Sequence, residues 1–171
     1  MITASHNPKE YNGYKAYWSD GAQMLAPHDR NTIIEVNKIT RAEDIRFEAR
    51  PELIHFLGQE FDKHFIERVA SLSAPQKESI ARHHDLKIVY TPIHGTGVRI
   101  IPEALRAIGF TNIINVPEQD IVSGNFPTVH SPNPEEPAAL ELAIRRAEET
   151  GADIVLASDP DADRIGVAVR N

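Results

Sequence analysis

Three aspartates alternate with other residues near the C-terminal end of the sequence, in the segment DPDADR at 159–164. An apolar run that is typical of a buried strand precedes them, so Asp159, Asp161 and Asp163 can converge where the chain turns. Carboxylates this close repel one another and raise one another's pKa unless a cation neutralises them. Oxygen-only ligands favour a hard cation such as Mg²⁺ over zinc. The segment therefore predicts a divalent-cation site, with Arg164 beside it as a cation for phosphate.

Several alternatives compete for this acidic segment. An EF-hand requires a bidentate Glu at loop position twelve, and that position, counted from Asp159, is Arg170. A divalent-cation phosphatase also places D-x-D after a strand, but a small or hydroxyl residue is expected where Asp163 stands. A solvated acidic turn and a non-catalytic module that binds Mg²⁺ or phosphate remain open.

A second chemistry-bearing segment lies at the N-terminal end, where TASHNP at 3–8 is followed by NGYK at 12–15. Ser5 stands among side chains that donate or accept hydrogen bonds, and Asn7 before a proline is held extended. Lys15 can return from the following strand to face a phosphate. A serine hydroxyl becomes a useful nucleophile only beside an activating base or when it carries a phosphoryl group. By itself this segment is typical of an ordinary turn. Only together with the acidic loop does it indicate a catalytic serine.

The elements that must position these loops form an α/β pattern. A hairpin is predicted from strands at 14–18 and 22–25, and helices are predicted at 29–39 and 57–72, the second ending at Ser73, Ala74 and Pro75. From residue 87 strands at 87–90, 112–116, 153–157 and 165–169 alternate with helices at 99–108 and 138–150, with a long polar loop at 119–137. This alternation predicts a mixed, mostly parallel sheet sandwiched by helices, with ligands at the carboxyl ends of the strands.

Together the two loops resemble the α-D-phosphohexomutase superfamily. TASHNP with the following NG-x-K matches the family's serine loop, and DPDADR is similar to its metal loop DGDxDR, with Pro160 in place of the first glycine. TPIHGTG at 91–97 and SPNPEE at 131–136 are also similar to family segments. With Gly21-Ala22-Gln23, the combination is most similar to the phosphoglucomutase-2 type.

The resemblance implies catalytic roles near the N-terminus and a cation and phosphate site near the C-terminus. Ser5 would be the phosphoserine, flanked by His6, with Lys15 as general acid/base or phosphate contact. A phosphoserine oxygen would join the aspartates on Mg²⁺, so Ser5 and the acidic segment must meet. The implied metal and phosphate residues are Asp159, Asp161, Asp163, Arg164, His94 and Gly95.

The implied enzyme is an intramolecular phosphotransferase that moves phosphate between C1 and C6 of glucose through a sugar bisphosphate. Mannose and pentose phosphates are alternative substrates. The resemblance covers the end of the first of four family domains (1–50, a partial domain 1) and the second domain (51–171). We therefore expect the missing domains of a parent enzyme to be its partners and the isolated chain to be inactive.

Bulk properties argue against other classes of protein. The net charge of −7 disfavours nucleic acid as a partner, because a phosphate backbone requires a basic face. No apolar run approaches the ~20 residues of a membrane span. The absence of cysteine fits a reducing compartment. We predict a cytoplasmic protein that acts on a phosphosugar.

Overall fold

The protein is described by a computed structural model for residues 1–73 and 77–170, which fall into two compact units. Unit 1 comprises Met1–Thr3 and Gly13–Leu57. Unit 2 comprises Ala4–Asn12 and Gly58–Asn171. The short segment that carries Ser5 thus belongs to the unit that also carries the acidic segment. No helix in the described part of the chain is long and apolar enough to cross a membrane.

Unit 1 contains helix α1 (His28–Val36) and two 3₁₀ turns, Ala42–Asp44 and Pro51–Leu53. The chain reverses where the hairpin is predicted, with the Trp18 amide donating to the Ala22 carbonyl at 2.9 Å. The two predicted strands are nevertheless wrong, because only isolated bridges form there. A two-stranded ribbon is marginal unless one face is packed, and Tyr14 on this ribbon is 79% exposed.

Unit 2 is built on a four-stranded sheet of order β2-β1-β3-β4. The strands are β1 (Ile88–Thr91), β2 (Ile113–Asn115), β3 (Ile154–Ser158) and β4 (Ile165–Val169). β1 pairs in parallel with both β2 and β3, whereas β4 pairs antiparallel with β3. The predicted mixed, mostly parallel sheet is confirmed. Parallel pairing brings the carboxyl ends of β1 and β3 to the same edge of the sheet.

Helices cover both faces of this sheet, as predicted. On one face the core packs Val89 and Val155 against Ala143 of helix α5 (Pro137–Thr150). On the other face helix α4 (Gly97–Ile108) begins at a glycine, where an added Cβ would collide with the Tyr90 hydroxyl. Burying both faces explains why β1 consists of four consecutive buried residues instead of an alternating pattern.

The remaining helices of unit 2 are α2 (Gln59–Ser71) and α3 (Lys77–Arg82). α2 was predicted from its apolar spacing and packs against α4, where Arg99 and Asp62 form an ion pair at 2.6 Å. α3 was not predicted. Of the residues predicted to end α2, Ala74 and Pro75 lie outside the described residues. Helices α4 and α5 end where predicted, at 108 and 150, and the glycines that follow them, Gly109 and Gly151, adopt positive φ of 124° and 63°.

Gly166 of β4 provides the first prediction, because the loop before α5 crosses directly over it. A Cβ at this position would lie 3.0 Å from the Pro134 side chain and against the Pro134 carbonyl group. Gly166→Ala should therefore lower the free energy of unfolding by about 1–3 kcal/mol through overpacking. Denaturant unfolding of the chain measures this change.

Gly124→Ala is the matched control, since no atom lies within 4 Å of a Cβ added there. It should change the free energy of unfolding by less than about 0.5 kcal/mol. Equal losses for the two variants would contradict the tight packing at Gly166.

Candidate active site

The acidic segment is a tight loop organised by the carboxylate of Asp159, the residue that follows β3. Its Oδ1 accepts hydrogen bonds from the backbone amides of Asp163 and Arg164, both at 3.0 Å. Its carbonyl accepts from the amide of Ala162, which adopts a left-handed φ of 62°. The chain is thereby folded back on Asp159, and one ligand atom from each of Asp159, Asp161 and Asp163 lies within 4.8 Å of the others.

The hydroxyl of Ser5 reaches this acidic loop from 154 residues away. Ser5 Oγ donates a hydrogen bond of 2.7 Å to Asp159 Oδ2. His6 Nδ1 lies 3.2 Å from the same Oγ, so a ring protonated at Nδ1 donates to a remaining lone pair. Ser5 has a left-handed φ of 52°, a conformation that costs a non-glycine residue about 1–3 kcal/mol and is concentrated at functional sites. The structure thus brings Ser5, His6 and the three aspartates together.

The electrostatics of Asp159 favour a proton or a cation. Its side chain is fully buried, and this burial raises its pKa above the ordinary aspartate value. The hydrogen bonds from Ser5 and from the Arg164 backbone lower the pKa, whereas the neighbouring Asp161 carboxyl raises it; the net shift is upward. A buried carboxyl beside a second carboxyl is suited to bind a cation, because the cation removes both the desolvation cost and the repulsion.

The loop after β1 supports the acidic loop from the neighbouring strand. The Thr96 amide and hydroxyl both donate to the Pro160 carbonyl, at 2.9 and 3.0 Å. Gly95 lies so close to Pro160 that a Cβ would collide with its backbone. Glycine is therefore required at position 95, because a side chain there would prevent the close approach of the two loop backbones. This contact places Gly95 beside the acidic loop.

His94 is buried inside the loop that it was predicted to shape. Its Nδ1 lies 2.8 Å from the Ile121 carbonyl, and its Nε2 lies 2.8 Å from Thr128 Oγ1. Only 1% of the residue is exposed, and both ring nitrogens are used within the chain. These contacts hold the loop in shape, and a role of His94 in phosphate binding stays a prediction.

Arg164 leaves the acidic loop toward the segment SPNPEE. Its Nη1 donates to Glu135 Oε1 at 3.1 Å, and 38% of its side chain is exposed. Pro132 and Pro134 of that segment are fully buried, so Glu135 is presented from a firmly packed loop. The guanidinium is thus held beside the acidic loop in an accessible position, and its contact with phosphate stays a prediction.

Lys15 belongs to unit 1, where its amide donates to the Met1 carbonyl at 2.8 Å. Its side chain is half-buried. Its role as general acid/base or phosphate contact stays a prediction, as do the catalytic roles of Ser5 and His6.

Four buried polar residues behind the loops were missed at the level of sequence: Tyr90, Thr91, Gln119 and Ser158. The Tyr90 hydroxyl lies 2.9 Å from Ser158 Oγ, and burial raises the pKa of Tyr90 to about 12. Thr91 and Ser158 end the two parallel strands that carry the loops, which is the signal that could have identified them. Gln119 has no such signal, because it stands in a polar stretch that is typical of a solvated loop.

Comparison with known proteins agrees with this geometry. The family model described as phosphoglucomutase/phosphomannomutase, alpha/beta/alpha domain II, matches residues 63–171. The model for domain I of the same family matches residues 1–44. A phosphoglucomutase from Staphylococcus haemolyticus is 41% identical over 180 residues, which cover 100% of this chain and 31% of that protein.

A phosphopentomutase from Homo sapiens is 38% identical over 174 residues, covering 98% of this chain and 28% of that protein. Among solved structures, a phosphoglucomutase/phosphomannomutase family protein from Burkholderia thailandensis has the same fold, with a TM-score of 0.68 at 23% identity. That match covers 98% of this chain and 32% of the other. The chain spans about a third of the length of the curated relatives it matches. The family resemblance of the serine and metal loops is confirmed: the chain belongs to the phosphoglucomutase/phosphomannomutase family.

Proposed function

We propose that this chain is part of a phosphosugar mutase that interconverts glucose 1-phosphate and glucose 6-phosphate through a phosphoserine at Ser5 and a sugar bisphosphate. Residues 1–50 would contribute to domain I and residues 51–171 would form domain II. We propose turnover for a polypeptide as long as the relatives, and little or none for these 171 residues alone. Mannose and pentose phosphates are the alternative substrates, since relatives with both phosphoglucomutase and phosphopentomutase names match the chain.

One observation carries this proposal: the 2.7 Å hydrogen bond from Ser5 Oγ to Asp159 Oδ2. A phosphoryl group on Ser5 would stand at the edge of three carboxylates, where negative charges repel unless a cation lies between them. A serine in an ordinary turn would not require a hydrogen bond to the Asp159 carboxylate. The partnership therefore supports a phosphoserine that is used together with a metal.

The acidic loop fits Mg²⁺, because its donors are all carboxylate oxygens and converge within 4.8 Å. Asp159, Asp161 and Asp163 would hold the ion together with an oxygen of the phosphoserine. When bound, Mg²⁺ supplies Lewis-acid stabilisation of the charge on the transferring phosphoryl group.

The chain's own residues position the phosphoryl group and handle its charge and proton. Asp159 holds the Ser5 hydroxyl, and the strained φ of Ser5 directs that hydroxyl into the acidic loop. Arg164 can release Glu135 and pair with a phosphate at the accessible side of the loop. We assign Lys15 as the general acid/base that exchanges a proton with the sugar hydroxyl. Positioning and charge stabilisation are the main demands of phosphoryl transfer.

Phosphorylation of Ser5 is the direct test. Incubation of a protein as long as the relatives with glucose 1,6-bisphosphate and Mg²⁺ should add one phosphoryl group, mapped to Ser5 by intact-mass and fragment spectrometry. Ser5→Ala should abolish the addition, whereas Ser19→Ala, at an exposed turn of unit 1, should retain it. Phosphate that persists in Ser5→Ala, or that maps to another residue, would refute the phosphoserine.

Turnover measurements distinguish a mutase from the two alternative functions, a phosphatase and a non-catalytic module. In a protein as long as the relatives, Ser5→Ala should reduce glucose 6-phosphate formation by about 10³-fold or more, because the covalent nucleophile is lost. A phosphatase would instead release inorganic phosphate from simple esters and survive Ser5→Ala. A non-catalytic module would bind Mg²⁺ yet form no product. Parallel assays with glucose, mannose and ribose phosphates rank the substrates.

Mg²⁺ binding should depend on the acidic loop and on pH. Asp161→Asn should weaken Mg²⁺ binding in calorimetry by about 10-fold or more, whereas Glu148→Gln on the exposed face of α5 should not. Because burial raises the pKa of Asp159, protons compete with the ion at a higher pH than at an ordinary aspartate. The Mg²⁺-induced rise in melting temperature should therefore shrink as the pH falls from neutral toward about 5.

The metal-free chain should show the opposite dependence on pH. The unfolded chain releases the Asp159 proton first, so the contribution of Asp159 to the free energy of unfolding falls as the pH rises from the ordinary aspartate pKa through the raised value. A Mg²⁺ response that is independent of pH, or equal in Asp161→Asn, would contradict this metal site.

A further inference from the structure

We propose that Gln119 is a positioning residue for the metal loop, acting through the loop that follows β1. Gln119 is fully buried and lies outside every segment that resembles the family's known loops. This inference rests on the proposed function in one respect only: the loop that Gln119 positions, at 159–164, is the proposed metal site.

The side chain of Gln119 joins two hydroxyls from different parts of unit 2. Its Oε1 accepts from Thr91 Oγ1 at 2.7 Å, and its Nε2 donates to Thr128 Oγ1 at 3.2 Å. Its carbonyl also accepts from the His94 amide at 2.9 Å. Gln119 is therefore tied to the end of β1, to the following loop and to the long loop before α5.

These bonds form one directional network. The Ile121 carbonyl can only accept, so the His94 ring carries its proton at Nδ1 and its Nε2 accepts from Thr128. Thr128 uses its proton on His94 and accepts from Gln119, and Thr91 uses its proton on Gln119 and accepts from the Ile93 amide. Each of the two hydroxyl hydrogens has one acceptor, and with a neutral His94 ring the bonds fit one ring tautomer and one orientation of the Gln119 amide.

The network holds a strained stretch of backbone against the metal loop. Ile93 and His94 both adopt left-handed φ, of 46° and 62°, which residues with a Cβ rarely adopt. The next two residues make the contacts with Pro160, through the close approach of Gly95 and the two hydrogen bonds from Thr96. Pro160 separates two of the proposed ligands. A substitution that loosens the network should therefore displace the proposed ligand aspartates, although it alters none of them.

Substitutions in the network test this route. Gln119→Leu keeps a similar volume but removes both side-chain hydrogen bonds, and it should weaken Mg²⁺ binding to the chain by about 10-fold in calorimetry, as the loss of groups that orient metal ligands does. Thr128→Val, at an exposed position, should weaken binding in the same direction. Thr128→Ser retains the hydroxyl and should restore it.

Ala143→Gly is the control for general destabilisation, because Ala143 is a buried residue of α5 whose core cluster consists of apolar residues and includes none of the network's hydrogen-bonding residues. It should lower the melting temperature yet leave the Mg²⁺ affinity of the folded chain unchanged. The proposal is overturned if Gln119→Leu binds Mg²⁺ as tightly as the unaltered chain, or if Ala143→Gly weakens binding equally.

Hydrogen exchange without metal keeps this test separate from the proposed function. In Gln119→Leu and Thr128→Val the amides of Thr96, Asp163 and Arg164 should exchange at least about 3-fold faster, while the amides of α2 keep their rates. If the unaltered chain binds no Mg²⁺ but these amides respond, the metal proposal fails and the positioning role stands. If the chain binds Mg²⁺ and the amides keep their rates, the positioning role fails.

Discussion

The buried carboxylate of Asp159 is the interaction around which this site is assembled. One oxygen accepts two backbone amides and so gives the acidic loop its shape. The other accepts the hydroxyl of Ser5 and so brings in the N-terminal loop. A single, fully buried side chain thus fixes both the acidic loop and the candidate nucleophile.

The position of Asp159 follows from the sheet. β1 and β3 are parallel neighbours, so the loops that leave their carboxyl ends emerge side by side. Close approach of these loops requires a glycine at 95, and it places the Pro160 carbonyl within reach of both donors of Thr96. The antiparallel β4 then returns along β3 immediately after the acidic loop, which holds that loop at both ends.

The carboxylate charges of the acidic loop explain why this site favours a bound cation. Burial and a neighbouring carboxyl both oppose ionisation of Asp159, and hydrogen bonds offset this only in part. The fold tolerates this cost because the sheet beneath is well packed, with Val89, Ala143 and Ala157 fully buried. A divalent cation removes the repulsion, and a phosphoryl group on Ser5 would bring further negative charge to the same ion. In the proposed function, the acidic loop and the serine loop would therefore depend on each other chemically.

The amino-acid sequence was sufficient to predict the fold class, a mixed and mostly parallel sheet between helices, and the two loop motifs that the family shares. These features depend on local properties, namely apolar periodicity, glycines that end helices and the density of carboxylates in DPDADR. The alternating pattern of residues wrongly predicted two strands at 14–25, where only isolated bridges form. A two-stranded ribbon depends on packing against other parts of the chain, and no local pattern encodes that packing.

How these pieces meet could be seen in the folded chain alone. Ser5 and Asp159 are 154 positions apart in the sequence, and they are joined by a hydrogen bond that no spacing rule specifies. The ring of His94 is enclosed by Ile121 and Thr128. Gln119 looked like a solvated loop residue, yet it is fully buried and its side chain is hydrogen-bonded to Thr91 and Thr128. Side-chain type is local information, whereas burial and hydrogen-bond partners are set by segments that are distant in the chain.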